Sequence, residues 1–472
     1  MSNLVMYRIS NDISAIYSPE TLGVAYFNQN ATDIIKAVSS ARTNCFQDNT
    51  YEAKLWNELF KNKTIFNYKK RPLRTLYFCT SYDCNLSCSY CLTKHSISVG
   101  RSSTRMSDET AQIAIDYFFR NSTPNSEREI VLYGGEPALY PELIQFIYHT
   151  VRYYEKKEEY KSLKPCRFIL CTNGVLLSDE LIAFIKAADI YTCVSIDGDK
   201  DIHDMYRPTN NGKGSFDAAK KGYMSLKNNG LKAGISMTLG THLSEQLPDL
   251  IRKIHDEFAP NTLATNTLVD YENEDSNYWI PGSRELSVIL WDAFMVSRDV
   301  GVYLVKNVMD NRIKPFVEKQ PRFWGCTGMG ARVGVLPDGK IVPCMALTQN
   351  FAIDVRDNPE LERLYPTFLS NGSPYQRIEC AACPAKATCG GGCPASSYLK
   401  GQTHVKDNSY CEASKFFLRS MIKLLWELCK EESEEKMKNH GVFIPTEANR
   451  KKIYGNIKVD GKALDYQYTP NA

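Results

Sequence analysis

The sequence predicts an α/β protein built around an open (β/α)6 partial barrel, with a small α+β module before it and a cysteine-rich segment after it. Three observations support this fold class. Short apolar runs alternate with helical patterns between residues 75 and 268, three short strands and two helices precede them, and seven patterned cysteines follow them. Regular alternation of strands and helices is typical of a parallel sheet covered by helices.

Residues 1–72 form the predicted N-terminal module. Asn, Asp and Pro signals separate three apolar runs, which predict strands at residues 5–8, 15–17 and 24–27. Two helical patterns follow at residues 31–39 and 51–62.

Residues 73–283 carry the predicted barrel. Its apolar runs predict parallel strands at residues 75–82, 129–134, 167–172, 191–196, 232–239 and 262–268. The helical patterns between them lie at residues 108–120, 141–155, 178–188, 215–229 and 243–258. Because ligands of such folds bind at the carboxyl ends of the strands, residues that directly follow a strand are the first candidates for a site.

The C-terminal part is predicted as three units: a helical bridge at residues 284–325, a turn-rich cysteine segment at 326–415, and a helix with a charged tail at 416–472. Pro337-Asp338-Gly339 separates two short apolar runs and predicts a hairpin.

Composition indicates an ordinary globular protein of a reducing compartment. Of 472 residues, 43% are apolar and 24% are charged, so a core without disulfides is feasible. The formal charge of +3 is too small to indicate general nucleic-acid binding. We see no secretory signal and no uninterrupted run of about 18 apolar residues, and therefore expect a cytoplasmic protein without a membrane span. Its 16 cysteines are expected to be metal ligands or catalytic groups.

Cys84, Cys88 and Cys91 form a C-x3-C-x2-C run after the first barrel strand. Three thiolates at this spacing can wrap around one soft metal centre, as iron–sulfur clusters require. Three ligands leave one iron of a four-iron cluster open to a small molecule. A zinc site with a distant fourth ligand is the alternative, although zinc loops usually contain a second C-x2-C pair.

A second group of seven cysteines comprises Cys326, Cys344, Cys380, Cys383, Cys389, Cys393 and Cys411. Seven thiols exceed the need of one tetrahedral site and suit two clusters with interleaved ligands, while two zinc sites would use a similar number. Gly390, Gly391 and Gly392 permit tight turns close to a cluster.

These motifs resemble those of radical S-adenosylmethionine (SAM) enzymes with a C-terminal SPASM domain, over about residues 73–415. Besides the first cysteine run, the matching segments are Tyr90, Gly134-Gly135-Glu136-Pro137, Thr172-Asn173-Gly174, Ser195-Ile196-Asp197-Gly198, His203-Asp204 and Arg207-Pro208. The seven later cysteines match the SPASM spacing.

The resemblance implies that the first three cysteines hold a [4Fe-4S] cluster that binds SAM. Reductive cleavage of SAM would give a 5′-deoxyadenosyl radical, which takes a hydrogen atom from the substrate. The implied SAM contacts are the backbone at Gly134 and Gly135, the Glu136 carboxylate, and Tyr90, Ser195, Asp197 and Arg207. The alternatives are a simple turn for the glycines, a helix cap for Asp197 and a structural ion pair for Arg207.

The resemblance also implies two auxiliary iron–sulfur clusters. The implied distal ligands are Cys380, Cys383, Cys389 and Cys411, and the implied proximal ligands are Cys326, Cys344 and Cys393. Two fully ligated four-iron clusters need eight cysteines, so our hypothesis is an open proximal iron that binds a substrate thiolate. Cys429, a non-cysteine ligand or a two-iron cluster are the alternatives. Cys79, Cys166, Cys171 and Cys193 fall on predicted strands and are expected to be core residues.

Two branches of the family compete. Anaerobic sulfatase maturases, which oxidise serine or cysteine to formylglycine, carry an Asp after the cysteine that matches Cys344, and usually lack a long segment before the first cluster motif. Here Met345 takes that place and cannot accept a proton, and about 75 residues precede the motif. We therefore predict a peptide maturase that joins a cysteine sulfur to carbon in a thioether. Formylglycine generation, carbon–carbon cyclisation and, outside enzymes, a zinc-binding scaffold are the alternatives.

The predicted partners are a precursor peptide with a leader sequence and a flavodoxin- or ferredoxin-type electron donor. The N-terminal module has the strand-then-helix order of a winged-helix-like leader-binding (RRE-like) module, to which a leader would add as an edge strand. A module that merely packs on the barrel is the alternative.

Overall fold

The computed structural model describes residues 4–41, 45–61, 71–101, 104–240, 243, 246–267, 283–305, 308–365, 372–399 and 408–459. The strands within these ranges are β1 (Val5–Arg8), β2 (Ser14–Ser18), β3 (Gly23–Phe27), β4 (Thr75–Cys79), β5 (Arg128–Tyr133), β6 (Cys166–Thr172), β7 (Tyr191–Ser195), β8 (Ala233–Leu239), β9 (Thr262–Thr267), β10 (Tyr303–Val305), β11 (Arg332–Val335), β12 (Lys340–Val342), β13 (Ile353–Asp354) and β14 (Val442–Phe443).

The α-helices in the described ranges are α1 (Thr32–Ser40), α2 (Tyr51–Phe60), α3 (Asp108–Arg120), α4 (Pro141–Glu155), α5 (Asp179–Ala187), α6 (Lys200–Tyr206), α7 (Phe216–Asn228), α8 (Leu247–Phe258), α9 (Ser283–Val300), α10 (Lys314–Val317), α11 (Leu361–Leu364), α12 (Lys386–Cys389), α13 (Pro394–Leu399), α14 (Asn408–Leu428), α15 (Lys430–His440) and α16 (Glu447–Lys451).

The predicted α/β alternation is confirmed. Strands β4 to β9 lie side by side in one parallel sheet, in chain order, with helices between them. Side-chain caps begin several of these helices where the sequence predicts a start: Ser107 accepts a hydrogen bond from Thr110 N, and Ser178 accepts one from Leu181 N. Strand β4 ends at Cys79, three residues before the predicted end at Tyr82. The N–H of Tyr82 donates to Thr104 O instead of to a neighbouring strand of the sheet.

The two faces of the parallel sheet differ in burial. Side chains that point to the helices, such as Phe78, Phe168 and Val194, are at most 1% exposed. Residues at alternate positions are half-buried and form what we term the inner wall. The inner-wall residues used below are Tyr77, Glu129, Tyr133, Arg167, Cys171, Cys193, Ser195, Ser236 and Arg332.

The sheet is longer than the six strands predicted. It has ten strands in the order β10-β9-β8-β7-β6-β5-β4-β11-β12-β13. Residues 284–325 were predicted as a helical bridge, and this is wrong in one respect: after α9 the apolar run Tyr303–Val305 pairs with β9 in parallel. On the opposite edge, β11 of the cysteine-rich segment pairs with β4 in parallel. The cysteine-rich segment therefore extends the sheet of the barrel.

A second sheet combines the two ends of the chain, in the order β1-β2-β3-β14. Val442 pairs with Phe27 and Phe443 with Tyr26, so the outer edge of β3 is covered by a strand from the C-terminal part. Arg450 is 1% exposed; it is paired with Glu58 at 2.9 Å and donates to Leu22 O at 3.0 Å. The first and last predicted units thus share a core, and the tail beyond residue 459 lies outside the described residues.

No α-helix in the described ranges is long and apolar enough to cross a membrane.

Candidate active site

The loop that carries Cys84, Cys88 and Cys91 begins at the carboxyl end of β4, where the sequence predicted a site. Its backbone is held by the segment that follows α6. Ser87 N donates to Pro208 O at 2.8 Å, and Asn210 Nδ2 donates to Cys84 O at 2.8 Å. These contacts hold the loop against residues that come much later in the chain. The relative positions of the three thiols therefore depend on tertiary contacts as well as on sequence.

The surroundings of these thiols suit thiolate ligands. Leu86 N lies 3.4 Å from Cys84 Sγ, Lys94 N lies 3.4 Å from Cys91 Sγ, and Asn173 Nδ2 lies 3.8 Å from Cys84 Sγ. Donors aimed at sulfur stabilise its anionic form and are one means by which a protein tunes an iron–sulfur cluster. Burial raises the pKa of Cys84 to about 12 and that of Cys88 to about 11, so the free thiols hold their protons and coordination must displace them. The donor set fits the cluster that the motif implies.

Gly134 and Gly135 are required for the packing of two loops. Gly134 has φ of +136°, and a Cβ there would lie 2.6 Å from Ser81 O. A Cβ on Gly135 would lie 2.1 Å from Asp83 O. The loop after β5 therefore packs directly against the loop before Cys84, since Gly135 N also donates to Ser81 O at 2.7 Å.

Glu136 is fully buried and already bonded to the protein. Its Oε1 accepts hydrogen bonds from Thr172 Oγ1 at 2.6 Å and Ala138 N at 2.9 Å, and its Oε2 accepts one from Asn173 N at 2.7 Å. A carboxylate has about four acceptor positions, so one remains for a ligand ammonium. Glu136 joins the ends of β5 and β6 in this structure, and its SAM contact stays a prediction.

Asp197, Arg207 and Tyr90 form a closed group. Asp197 is 0% exposed and accepts hydrogen bonds from Arg207 Nε at 2.8 Å, Thr238 N at 2.8 Å and the Tyr90 hydroxyl. The Arg207 guanidinium also lies over the Tyr90 ring, 5.3 Å from its centroid. Burial alone would raise the pKa of Asp197, but the Arg207 charge and these donors lower it below its usual value. The geometry matches the ion-pair alternative for Arg207 and ties Tyr90, beside Cys91, to β7 and β8.

His203 supports this group from behind. It is 0% exposed, its Nδ1 accepts from Asp197 N at 3.3 Å, and its Nε2 lies 3.0 Å from Ser215 Oγ. Ser215 Oγ itself donates to Arg207 O at 2.6 Å, so we assign the proton of the ring to Nε2. Burial and the Arg207 charge lower the pKa of His203 to about 4, so the ring is neutral at ordinary pH.

Ser195 stands apart from that closed group. It ends β7, is half-buried on the inner wall, and pairs in register with Ser236 of β8. Ser236 Oγ accepts from Asn266 Nδ2 at 2.7 Å, which makes a polar row at this height of the wall. Sequence reasoning missed Ser236 and Asn266 as wall residues, although both lie near the carboxyl ends of predicted strands. Ser195 remains predicted as a SAM contact.

The seven later cysteines fall on both sides of the β11–β12 hairpin. Cys326 and Cys344 flank it. Gly328 N lies 3.3 Å from the sulfur of Cys326. Burial raises the pKa of Cys380 to about 11, and the neighbouring Cys383 and Cys389 thiols add to the shift. The sulfur of Cys393 lies 3.5 Å from Ser396 N. Among the described residues, no three His, Cys, Asp or Glu side chains are arranged to hold a single metal ion.

The remaining cysteines divide by burial. Cys79 and Cys166 are 0% and 2% exposed, as expected for core residues. Cys171 and Cys193 differ from that expectation, because they are half-buried neighbours in register on the inner wall. Cys429 follows α14, which has Cys411 in its first turn; 18 residues of helix separate the two by about 27 Å. It is 2% exposed and packs near Asn449 and Glu432.

Comparison with known proteins supports the interpretation of the motifs. Residues 78–254 match the model of the radical SAM superfamily. The serine-type anaerobic sulfatase-maturating enzyme of Bacteroides thetaiotaomicron is 29% identical over 164 residues, which are 34% of this chain and 38% of that enzyme. The cysteine-type enzyme of Clostridium novyi is 22% identical over 372 residues, 74% of this chain and 95% of that enzyme.

Solved structures share the fold. Native anSMEcpe with bound AdoMet superposes with a TM-score of 0.60 and 21% identity, over 78% of this chain and all of that chain (100%). Streptococcus suis SuiB bound to precursor peptide SuiA gives a TM-score of 0.51 and 14% identity, over 85% of this chain and 99% of that chain. The alternating sheet, the cysteine run after β4 and the match over residues 78–254 agree with one another. The chain is therefore an enzyme that carries a radical SAM domain.

Proposed function

We propose that this protein is a peptide maturase that joins a cysteine sulfur of a ribosomally made precursor peptide to carbon, forming a thioether. The observation that carries the proposal is the pairing of a seven-thiol auxiliary set with Met345 in place of a carboxylate. Cys84, Cys88 and Cys91 would hold the [4Fe-4S] cluster that binds SAM. When bound, the cluster and SAM supply a radical that takes one hydrogen atom, and an auxiliary cluster supplies an acceptor for the electron left when the thiol proton departs.

The site residues are proposed in two roles. Glu136, with one acceptor position free, and Ser195, on the open wall, are the proposed direct SAM contacts, together with the backbone of the loop at Gly134 and Gly135. Tyr90, Asp197 and Arg207 are bonded to one another, so we propose that they hold the cysteine loop against β7 and β8.

The auxiliary ligands are proposed as the resemblance implies. Cys380, Cys383, Cys389 and Cys411 would bind the distal cluster, and Cys326, Cys344 and Cys393 the proximal one. With three cysteines on the proximal cluster, we propose an open iron there, which a substrate thiolate could occupy.

The surroundings of Met345 support thioether formation over formylglycine generation. Met345 is 7% exposed and packs in an apolar cluster with Cys79, Leu336 and Val342. A base would have to come from another carboxylate, but Glu129 on the inner wall is paired with Arg167 at 2.8 Å.

Formylglycine generation is the second candidate. The sequence relatives favour it, since both the Bacteroides and the Clostridium proteins are described as anaerobic sulfatase-maturating enzymes.

The N-terminal sheet is the proposed site for the leader of the precursor. Its edge strands are β1, with four residues, and β14, with two, and we propose the longer edge, β1, for the added strand. A flavodoxin- or ferredoxin-type protein is the proposed electron donor.

Product chemistry tests the function. Incubation of the reduced holoenzyme with SAM and the cognate precursor should yield peptide that has lost two hydrogen atoms, in which one cysteine no longer reacts with iodoacetamide. Oxidation of serine to formylglycine also removes two hydrogen atoms, so mass alone does not separate the candidates. A product that reacts with an aldehyde-specific hydrazide would replace the thioether proposal by the second candidate. Its cysteines would all still be alkylated if a serine is oxidised, and one sulfur would be missing from its mass if a cysteine is oxidised.

A further inference from the structure

Arg332 stands where the cysteine-rich segment meets the barrel. It is the first residue of β11, and its register partner is Thr75 of β4. Thr75 is in register with Glu129, which is ion-paired with Arg167 of β6. A row of polar side chains therefore crosses four adjacent strands on the inner wall, at the end opposite the Cys84 loop.

The guanidinium of Arg332 lies near both thiols that flank the hairpin. It forms a hydrogen bond to the Cys344 sulfur, and its Nε lies 3.4 Å from Pro343 O. On the other side, a Cβ built on Gly328 would be 2.9 Å from Arg332 Nη2 and 3.5 Å from Cys326 Sγ. Both sulfurs are thus close to one cation, and Gly328 leaves the space that the guanidinium occupies.

The same guanidinium packs against the inner wall. It lies over the ring of Tyr77, 5.1 Å from the centroid. Tyr77 in turn meets Tyr133 edge to face, with ring centroids 6.5 Å apart. The backbone of Arg332 is fixed independently, because its N–H donates to the Tyr365 hydroxyl at 3.1 Å and its carbonyl accepts from the same hydroxyl.

We propose that Arg332 is a positioning residue that raises the reduction potential of the proximal auxiliary cluster and joins that cluster to the inner wall. The inference rests on the proposed function, which places a cluster on Cys326 and Cys344. Net charge and hydrogen bonds to sulfur are main determinants of cluster potential. A fixed cation that also donates to a ligand sulfur stabilises the reduced form, because reduction adds negative charge. A proximal cluster of higher potential accepts an electron from the substrate more readily.

The test is a redox titration of anaerobically purified full-length protein, followed by electron paramagnetic resonance. The variants are Arg332→Gln, which removes the charge, and Arg332→Lys, which keeps a charge without the planar fork. Arg356→Gln is the matched control, since Arg356 lies on the same extension of the sheet and is bonded to Asp354 at the turn end of the hairpin. The signal that changes on addition of SAM identifies the first cluster and is set aside.

We expect one auxiliary midpoint potential to become more negative in Arg332→Gln, by less in Arg332→Lys, and to stay at the wild-type value in Arg356→Gln. Unchanged potentials in Arg332→Gln, with iron content equal to wild type, would overturn the inference and leave the proposed function intact. Wild-type protein that holds only the SAM-sensitive cluster would instead overturn the auxiliary-cluster proposal itself. If Arg332→Gln loses iron, Arg332→Lys decides the matter, because it retains the charge beside Cys344.

Discussion

At the scale of single residues, the motif side chains are engaged with one another. Asp197 and Arg207 are paired at 2.8 Å and Glu136 accepts three protein hydrogen bonds. These contacts give the motif side chains a structural role, because a buried carboxylate without donors would be costly. The residues best placed for direct contact with a ligand are those that remain open, such as Ser195.

His203 gives a pH dependence that can be measured. Its pKa is about 4 in the folded protein, below its usual value of about 6.5, so the unfolded chain binds the proton more readily. The stability it contributes is present above pH 6.5 and is lost as pH falls toward 4. By linkage the loss between pH 7.5 and pH 5 is about 2 kcal/mol.

Urea unfolding of His203→Gln at these two pH values should show a smaller decrease in stability than wild type. His255→Gln is the control, since it replaces a half-exposed histidine that lies outside the Asp197 group. Equal pH dependence in wild type and His203→Gln would show that this ring does not titrate as its burial requires.

At the scale of elements, two strands decide the arrangement of the units. Strand β11 places the cysteine-rich segment on the edge of β4, and β14 closes the edge of β3. Phe443 is 1% exposed and stacks with Tyr26 at 6.2 Å between centroids. Removal of residues 1–70 would take away β3 and expose β14 and Phe443. A point substitution is therefore the sharper test of leader binding.

Met6→Pro is that substitution. Ile9 N donates to Ile13 O, so Ile9 and Ile13 are a hydrogen-bonded pair of the antiparallel ladder. Hydrogen-bonded and non-hydrogen-bonded pairs alternate along such a ladder, so Tyr7 is bonded to β2 and Met6 is not. The N–H of Met6 therefore points away from β2. Proline there removes an outward donor without breaking the ladder. We expect precursor affinity, measured by fluorescence anisotropy, to fall roughly two- to tenfold, the value of one hydrogen bond.

Met6→Ala is the control, because it removes the exposed side chain and keeps the N–H; it should bind like wild type. If Met6→Pro binds as tightly as Met6→Ala, the β1 edge is not where the leader adds.

At the scale of the whole molecule, Cys344 and the Cys84 loop lie toward opposite ends of one strand. The Cys84 loop follows the last residue of β4, while Cys344 follows β12, which ends beside the start of β11. The five residues of β4 span about 16 Å. A substrate on the inner wall would thus lie between a radical source and an electron acceptor.

Replacement of Cys84, Cys88 and Cys91 by Ala should remove about four irons per chain and abolish 5′-deoxyadenosine formation, because a cluster of this kind is held by its cysteine thiolates. Iron analysis and chromatography of the SAM products check this. Cys45→Ala, at an exposed thiol, is the matched control and should change neither value. Continued SAM cleavage in the triple variant would contradict the assignment.

The sequence by itself determined the alternating strands and helices, the place of the first cysteine run and the two cysteine groups. These follow from periodicity and spacing over a few residues, which local backbone geometry dictates. The tertiary structure alone decided that β11 joins β4, that β14 covers β3, that Asp197 is bonded to Arg207 and Tyr90, and that Arg332 lies near Cys326 and Cys344. Each of these contacts joins segments that are far apart in the chain, as the pairing of Tyr26 with Phe443 does. No local pattern in the sequence shows which distant segments will meet.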